Sequence, residues 1–438
     1  MKKKTRYAVC GLSCRGIYHF VFPLLGKNHP GGPNFNETSE LVAVLDIDER
    51  RVRAFYEKAG VQIPFYPPDG FGRMIAEMKP DVILVVSQDY SHCEYIVKGL
   101  RSGCDVIVEK PMVISGEQVR AVQEAERESG KRVRVAFNYR YAPIHRKLKR
   151  MIMEGKLGRI TNVEFVYNLD TFHGASYFYR WNRERARSGG LSIHKCTHHF
   201  DLINWFLGDF PTEVFAYGAL NYYGPNGAHR PHDAKGNPLQ PVEEREKCPY
   251  FKKHYEGKCS PEDAAPAPGW DTFNLPYDVQ YPPDQKRYIY DSAIDIEDTY
   301  SALVRFKSGA SMSYSCNFST PWEGYVLGIN GTEGRIEINH HSNPDPTGNT
   351  APLEEKSVIV FYPLLGGKQI IDIPPVLGGH GGADFTIQND LFGKPSQESL
   401  ELNLVAGSAE GAASVAVGEA VWRSIKEKRP VTIAELIG

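Results

Sequence analysis

Three groups of residues in this chain are of types and spacings that can handle protons, phosphates and hydroxyls. Lys110 stands in Glu109-Lys110-Pro111, directly after the apolar run Val106 to Val108. A lysine at the carboxyl end of a buried strand offers a compact cation with three donors to whatever binds there. Gly189-Gly190 leads into a second group, the stretch Leu191 to Asp201, with His194, His198 and Asp201. A histidine has an unperturbed pKa near ~6.5, so it can take or give a proton close to neutrality. The third group is the turn Gly11-Leu12-Ser13-Cys14-Arg15-Gly16, after the strand-like Thr5 to Cys10. Glycines there let the backbone approach a pyrophosphate, which the following helix N-terminus then binds. Ser13 replaces the usual middle glycine, so this degenerate motif by itself also fits a plain βα turn.

The apolar pattern predicts the scaffold that holds these groups. Glu40 to Leu45 reads as a strand ending at Asp46, and Pro80 to Val86 as another, followed by Ser87, Gln88, Asp89 and His92. An acidic residue in the place of Asp46 accepts from an adenosine ribose. Its charge repels a 2′-phosphate and so favours NAD, while Arg50 and Arg51 nearby leave NADP open. Asp46 or Asp48 also fits as the cap of a helix starting at Glu49. A helix over Gly116 to Ser129 and a strand Val133 to Phe137 close the series at Asn138-Tyr139-Arg140-Tyr141. Strands alternating with helices of this length predict a doubly wound parallel sheet.

After Pro143 the pattern changes. Alternating runs at Asn162 to Tyr167, Val214 to Tyr217, Thr299 to Phe306, Ala310 to Cys316, Tyr325 to Gly328 and Arg335 to Ile338 carry hairpin-type turns. They predict a large, open, mainly antiparallel sheet, and its exposed face is a natural dimer surface. The expected division is residues 1–140 and 141–438, with a Pro- and Gly-rich insert at about 222–288. The length and aromatics of that insert suggest a lid or an intersubunit arm over the pocket. Within it, Cys248, His254 and Cys259 match no standard zinc spacing. Read as one continuous helix, 191–207 puts His194, His198, Asp201 and Trp205 on one face. His194 and His198 at i, i+4 lack the glutamate of an HExxH site, so no metal is expected.

Composition narrows the function classes. Lys and Arg total 51 against 53 Asp and Glu, which gives no basis for a nucleic-acid or anionic-membrane partner. No long apolar run predicts a membrane span or a signal peptide. The 8 cysteines are scattered, as suits a reducing cytoplasm.

The pieces Gly11 to Gly16, Asp46, Pro80 to His92, Glu109-Lys110-Pro111, Asn138 to Tyr141 and Gly189-Gly190 with His198 and Asp201 follow one another in a familiar order. In this the chain resembles the Gfo/Idh/MocA family of NAD(P)-dependent oxidoreductases. The resemblance implies a Rossmann domain followed by an α+β domain, and hydride transfer between NAD and a sugar or cyclitol hydroxyl. It implies His198 as the base and Lys110 as the donor to the developing alkoxide, with Asp201 either orienting His198 or bonding within the helix. His194 stands where many relatives have an aspartate, so the usual catalytic set departs at its middle member. Cofactor contacts are expected from Gly11, Ser13, Cys14, Arg15, Gly16, Asp46, Ser87, Gln88, His92, Glu109, Lys110, Pro111 and Asn138. Substrate contacts are expected from Tyr139, Arg140, Arg180, Trp181, His194 and His198. Some relatives oxidise a sugar only transiently, so a redox-neutral glycosidase, lyase or epimerase is the alternative. A non-catalytic nucleotide-binding regulator is a further one, opposed by the retained Lys110 and His198.

Overall fold

The first third of the chain builds six parallel strands: β1 (Thr5–Cys10), β2 (Ser39–Leu45), β3 (Phe65–Tyr66), β4 (Val82–Val85), β5 (Asp105–Val108) and β6 (Val133–Val135). They lie in the order β6-β5-β4-β1-β2-β3. Their side chains are buried almost end to end, because helices cover both faces. The strand order reverses between β1 and β4, which opens a crevice at their carboxyl ends. In this computed structural model the described residues are 3–239, 247, 288–343, 357–374, 376 and 382–438.

Gly11 turns the chain out of β1 at φ +96°, a region where a side chain is strained. A Cβ there would also lie 2.7 Å from the Cα of Ser87. The Ser13 hydroxyl accepts from the Gly16 N–H and donates to the Val86 carbonyl, 3.2 Å away. That bond caps the helical run from Cys14 to Leu25, which contains one π-helical turn at Ile17–Val21.

The second sheet has nine strands. β7 (Ile160–Asp170), β8 (Pro211–Ala219), β9 (Thr299–Phe306), β10 (Ser311–Thr320), β11 (Glu323–Gly331), β12 (Gly334–Asn343), β13 (Ser357–Pro363) and β14 (Gln369–Ile373) form most of it. Neighbours pair antiparallel except β7 with β10. Along β7 the residues Val163, Phe165, Tyr167 and Leu169 face the core at every second position. Val166, Tyr217, Leu303 and Val326 are exposed. The helices Thr197–Leu207 and Ser408–Glu427 pack together and complete the core beneath.

The division expected at 140/141 is crossed late in the chain. β15 (Ala406–Gly407) adds antiparallel to β6, and β16 (Val431–Thr432) pairs with β8. The helix Ala383–Phe392 brings Asp384 against Asn138 and Arg15. The start of the insert is pinned by Asp298, whose buried carboxylate accepts the N–H groups of Asn221, Tyr222 and Tyr223 at 2.7–3.0 Å. Cys248, His254 and Cys259 lie outside the described residues.

Gly11→Ala is expected to cost ~1–3 kcal/mol, from positive-φ strain plus the overlap with Ser87. Urea unfolding checks this, and an unchanged midpoint would mean that the β1 turn can move away from β4 without loss.

Candidate active site

A cavity of about 600 Å³ follows the carboxyl ends of β1, β2, β4 and β5 and ends against the second sheet's domain. Gly11 to Arg15, Asp46 and Arg51 line one end. Ser87 to His92, Glu109 and Lys110 line the middle. His173, Tyr177, Arg180, Trp181, Asn182 and His194 line the far end.

At the first end, Asp46 Oδ2 accepts the Leu12 N–H at 2.7 Å and Oδ1 accepts the Asp48 N–H at 2.9 Å. The carboxylate therefore ties the glycine turn to the end of β2. Asp48, not Asp46, caps the following helix by accepting the Arg50 N–H. Arg15 donates to Glu109 at 2.5 Å and lies 3.5 Å from Asp384. Gly16 also has no room for a Cβ, which would meet Val86 at 2.7 Å. A close-packed turn at a helix start, with an acidic residue beside it, is the donor and acceptor set that a pyrophosphate and a ribose require. The residues present thus fit a dinucleotide.

The middle is held by His92. Its Nδ1 lies 2.8 Å from the Pro111 carbonyl oxygen and its Nε2 lies 3.1 Å from that of Ser87. One buried ring therefore spans the ends of β4 and β5. The Lys110–Pro111 peptide is cis. Lys110 Nζ donates to the His194 carbonyl at 2.9 Å. Loss of solvent lowers the lysine to about 8, against the pull of Glu109 and Asp89. His194 Nδ1 lies 2.5 Å from Asp89 Oδ2, and Asn182 Nδ2 lies 3.1 Å from His194 Nε2. With the amide donating to Nε2, the ring carries its proton on Nδ1 and donates it to Asp89. Burial, then Lys110, pushes the His194 pKa well down, so the ring is neutral. Burial raises Asp89 to about 7, opposed by His92 and Lys110.

Several expected contacts take other places. The helix expected across 191–207 breaks into Leu191–His194 and Thr197–Leu207, because the Cys196 N–H reaches back five residues to the Leu191 carbonyl. His194 and His198 therefore do not share a face. His198 is 6% exposed and stacks on Tyr139 with ring centroids 4.3 Å apart, off the cavity wall. Arg140 is 1% exposed and forks onto Asp201 at 2.8 and 2.6 Å. Its role as a substrate contact is corrected: a buried guanidinium requires a partner, and Asp201 supplies it. Both carboxylate oxygens of Asp201 thus accept from Arg140. Asn138 is fully buried and donates to Asp384 at 2.9 Å, behind the wall. The Tyr139 hydroxyl lies 3.1 Å from that of Tyr167, also off the wall. Pro111 meets His92 through its carbonyl and does not line the cavity. Arg180, Trp181 and His194 do line it.

Sequence reasoning passed over His173, Tyr177, Asn182 and Glu323. His173 and Tyr177 are one turn apart on the helix Thr171–Phe178, an i, i+4 spacing visible in the chain. Among the described residues, two groups of metal-ligand type come together. Cys196, His199 and Cys316 meet in the core, and Asp170, His173 and Glu323 meet beside the cavity. In the second group His173 is bonded to protein on both ring nitrogens, to Glu323 at 2.7 Å and to Tyr177 at 3.1 Å.

The family description "Oxidoreductase family, NAD-binding Rossmann fold" matches residues 5–137, and "Oxidoreductase family, C-terminal alpha/beta domain" matches residues 149–433. The chain is 44% identical over 440 residues to YteT of Bacillus subtilis (strain 168), a protein named as an oxidoreductase, covering 98% of this chain and 97% of that one. It is 25% identical over 228 residues to scyllo-inositol 2-dehydrogenase (NAD(+)) of the same organism, covering 50% and 59%. The fold matches levoglucosan dehydrogenase, solved with NADH and levoglucosan, at a TM-score of 0.64 and 16% identity over 98% of this chain and 100% of that one.

Arg140→Met leaves Asp201 buried without its partner and is expected to cost ~3–5 kcal/mol in urea unfolding. A near-zero cost together with a raised KM would return Arg140 to the substrate. Lys110 and Lys149, each lowered to about 8 mainly by burial, are expected to titrate apart from the other lysines. NMR of reductively ¹³C-methylated protein reads this, and Lys110→Arg should remove one of the two early-titrating signals.

Proposed function

The chain belongs to the Gfo/Idh/MocA oxidoreductase family, and from that premise we propose that it moves a hydride between NAD and a secondary hydroxyl of a sugar or cyclitol. The observation that carries this reading is one continuous cavity. It joins a nucleotide end built on Gly11, Ser13 and Asp46 to a polar end built on Lys110, Tyr177, Trp181, Asn182 and His194. NAD, when bound, supplies the hydride acceptor. Gly11, Ser13, Cys14, Arg15 and Gly16 would hold its pyrophosphate, and Asp46 its adenosine ribose. Ser87, Gln88, His92 and Glu109 would shape the stretch between.

The part taken by this chain's own residues is positional and electrostatic. Lys110 holds the substrate oxygen and stabilises the charge that develops as its proton leaves. His194 accepts from Asn182 and donates to Asp89, which fixes the wall opposite without adding charge. The flat face of Trp181 and the donors of Arg180 and Asn182 suit a ring bearing several hydroxyls. The names of relatives agree with this class, since one acts on an inositol and another structure holds levoglucosan.

Asp46 favours NAD over NADP. Arg50 is committed to Asp48, and Arg51 lies 3.5 Å from Asp46, so both neighbouring cations already face carboxylates. The exposed Tyr217, Leu303, Val166 and Val326 of the second sheet suit self-association into a homodimer or homotetramer. The six described cysteines are all free thiols, which agrees with the cytoplasm as the working compartment.

The test is a panel of myo-inositol, scyllo-inositol, glucose and methyl α-D-glucoside with NAD, read by NADH absorbance and by mass spectrometry of the polyol. Formation of a ketone product with equal NADH supports the reading. Product without net NADH would move the protein to the redox-neutral class, and absence of both would remove hydride transfer to polyols. Lys110→Ala is expected to lower kcat by ~10²–10⁴-fold while NAD affinity stays within about threefold. Asp46→Ser is expected to narrow the preference for NAD over NADP, and wild-type protein that binds NADP as tightly as NAD would refute the role given to Asp46.

A further inference from the structure

Oxidising a secondary alcohol takes a hydride from its carbon and a proton from its hydroxyl, and of the groups beside Lys110 that could take that proton, Asp89 already accepts from His194. Lys110 holds the oxygen. His194 has both ring nitrogens engaged, by Asp89 and Asn182. His198 lies off the wall against Tyr139. The opposite wall offers another route. His173 stands in the first turn of the helix Thr171–Phe178, where its backbone N–H donates to Asp170 Oδ1 at 3.0 Å. Its ring meets Glu323 Oε2 through Nδ1 at 2.7 Å and the Tyr177 hydroxyl through Nε2 at 3.1 Å. The side chain of His173 is 38% exposed, against 10% for that of Glu323. The carboxylate is therefore the inner member, and His173 and Tyr177 line the cavity. The Tyr177 ring lies edge-on to His194 at 5.5 Å, at the end of the cavity where Lys110 reaches the His194 carbonyl.

Resting on the hydride-transfer reading, we propose that Tyr177, His173 and Glu323 form a proton relay that receives the hydroxyl proton of the substrate. The substrate O–H bond breaks and its proton passes to Tyr177 Oη. The proton already on Tyr177 passes to His173 Nε2. The carbon's hydrogen leaves with its electron pair to NAD, so the alcohol becomes a carbonyl as NAD is reduced. The resulting imidazolium stands against the Glu323 carboxylate. Glu323 is ionised for this role: burial opposes its charge, but His173, and beyond it Lys195, bring its pKa down to about 2. The arrangement is that of a base whose far nitrogen is oriented by a carboxylate. Tyr177 and His173 would be catalytic residues, and Glu323 a positioning residue.

The test uses whichever of myo-inositol, scyllo-inositol, glucose and methyl α-D-glucoside the panel finds to be turned over. Tyr177→Phe and His173→Ala are each expected to lower kcat by ~10²–10⁴-fold with NAD affinity within about twofold. Added imidazole should restore part of the rate of His173→Ala and none of that of Tyr177→Phe. Glu323→Gln is expected to lower kcat by ~10–100-fold with little change in KM. Wild-type kcat in His173→Ala, combined with its loss in His198→Asn, would overturn the relay and return the proton to His198. Loss of wild-type activity on dialysis against a chelator, with recovery on adding zinc, would also overturn it by making Asp170, His173 and Glu323 a metal site. In either case NADH formation from the polyol would stand, so the relay would fail alone. A panel with no polyol turned over would overturn both readings.

Discussion

Arg140 and Asp201 meet with water excluded from both, and much of the site's geometry follows from that pair. A buried charge without a partner costs several kcal/mol, so the two cannot separate once the domain has closed. Arg140 leaves the first sheet just after β6, while Asp201 sits on the helix Thr197–Leu207. Their bond fixes that helix against the first domain. His194, at the end of the preceding helical turn, is then carried to Asp89, and its carbonyl to Lys110. The ion pair is remote from the chemistry, yet it sets where Lys110 finds its acceptor.

The same rule separates structural polar residues from those that can meet a ligand. Asn138 and Asp201 have their partners inside the protein and no cavity face. Lys110, His194, His173 and Tyr177 have protein partners and also line the cavity. Around Lys110 burial disfavours the charged form of three groups. Asp89 is raised to about 7 by burial, His194 is held neutral, and the lysine is lowered to about 8. A small change in local charge can therefore move a proton there, which suits a step that creates an alkoxide and removes it again.

The division between what the sequence made legible and what it hid follows from range. Gly11, Asp46 and Lys110 each end a short apolar strand, and a strand end in a parallel sheet has few possible surroundings. Those residues were readable for that reason, as was the alternation of the later strands. Arg140 was not, because its partner is 61 residues away, and a polar fork looks the same whether it meets a carboxylate or a sugar. Asn138 answers to Asp384, 246 residues on. For the face shared by His194 and His198 the misreading was local: one backbone bond from Cys196 to Leu191 breaks the helix, and periodicity does not carry across the break. His173 and Tyr177 had a readable spacing, but Glu323, which gives that spacing a meaning, lies 150 residues later on β11.

The nucleotide end shows how one carboxylate can serve fold and selectivity together. Asp46 Oδ2 receives the Leu12 N–H of the glycine turn, and Oδ1 receives the Asp48 N–H. Each oxygen has in addition only a long contact to Arg51 Nη1, at 3.5 Å, and the residue lines the cavity. A ribose diol can donate to those positions, whereas a 2′-phosphate brings a second negative charge against a group whose place is fixed by the turn. Moving Asp46 aside to admit the phosphate would break the bond that anchors the turn itself. Arg51 cannot offset this freely, since its nearest carboxylate oxygens are those of Asp46, at 3.5 Å. In the proposed role of Asp46, discrimination against the phosphate is coupled to the integrity of the β1 turn, and a substitution that relaxes the one would loosen the other.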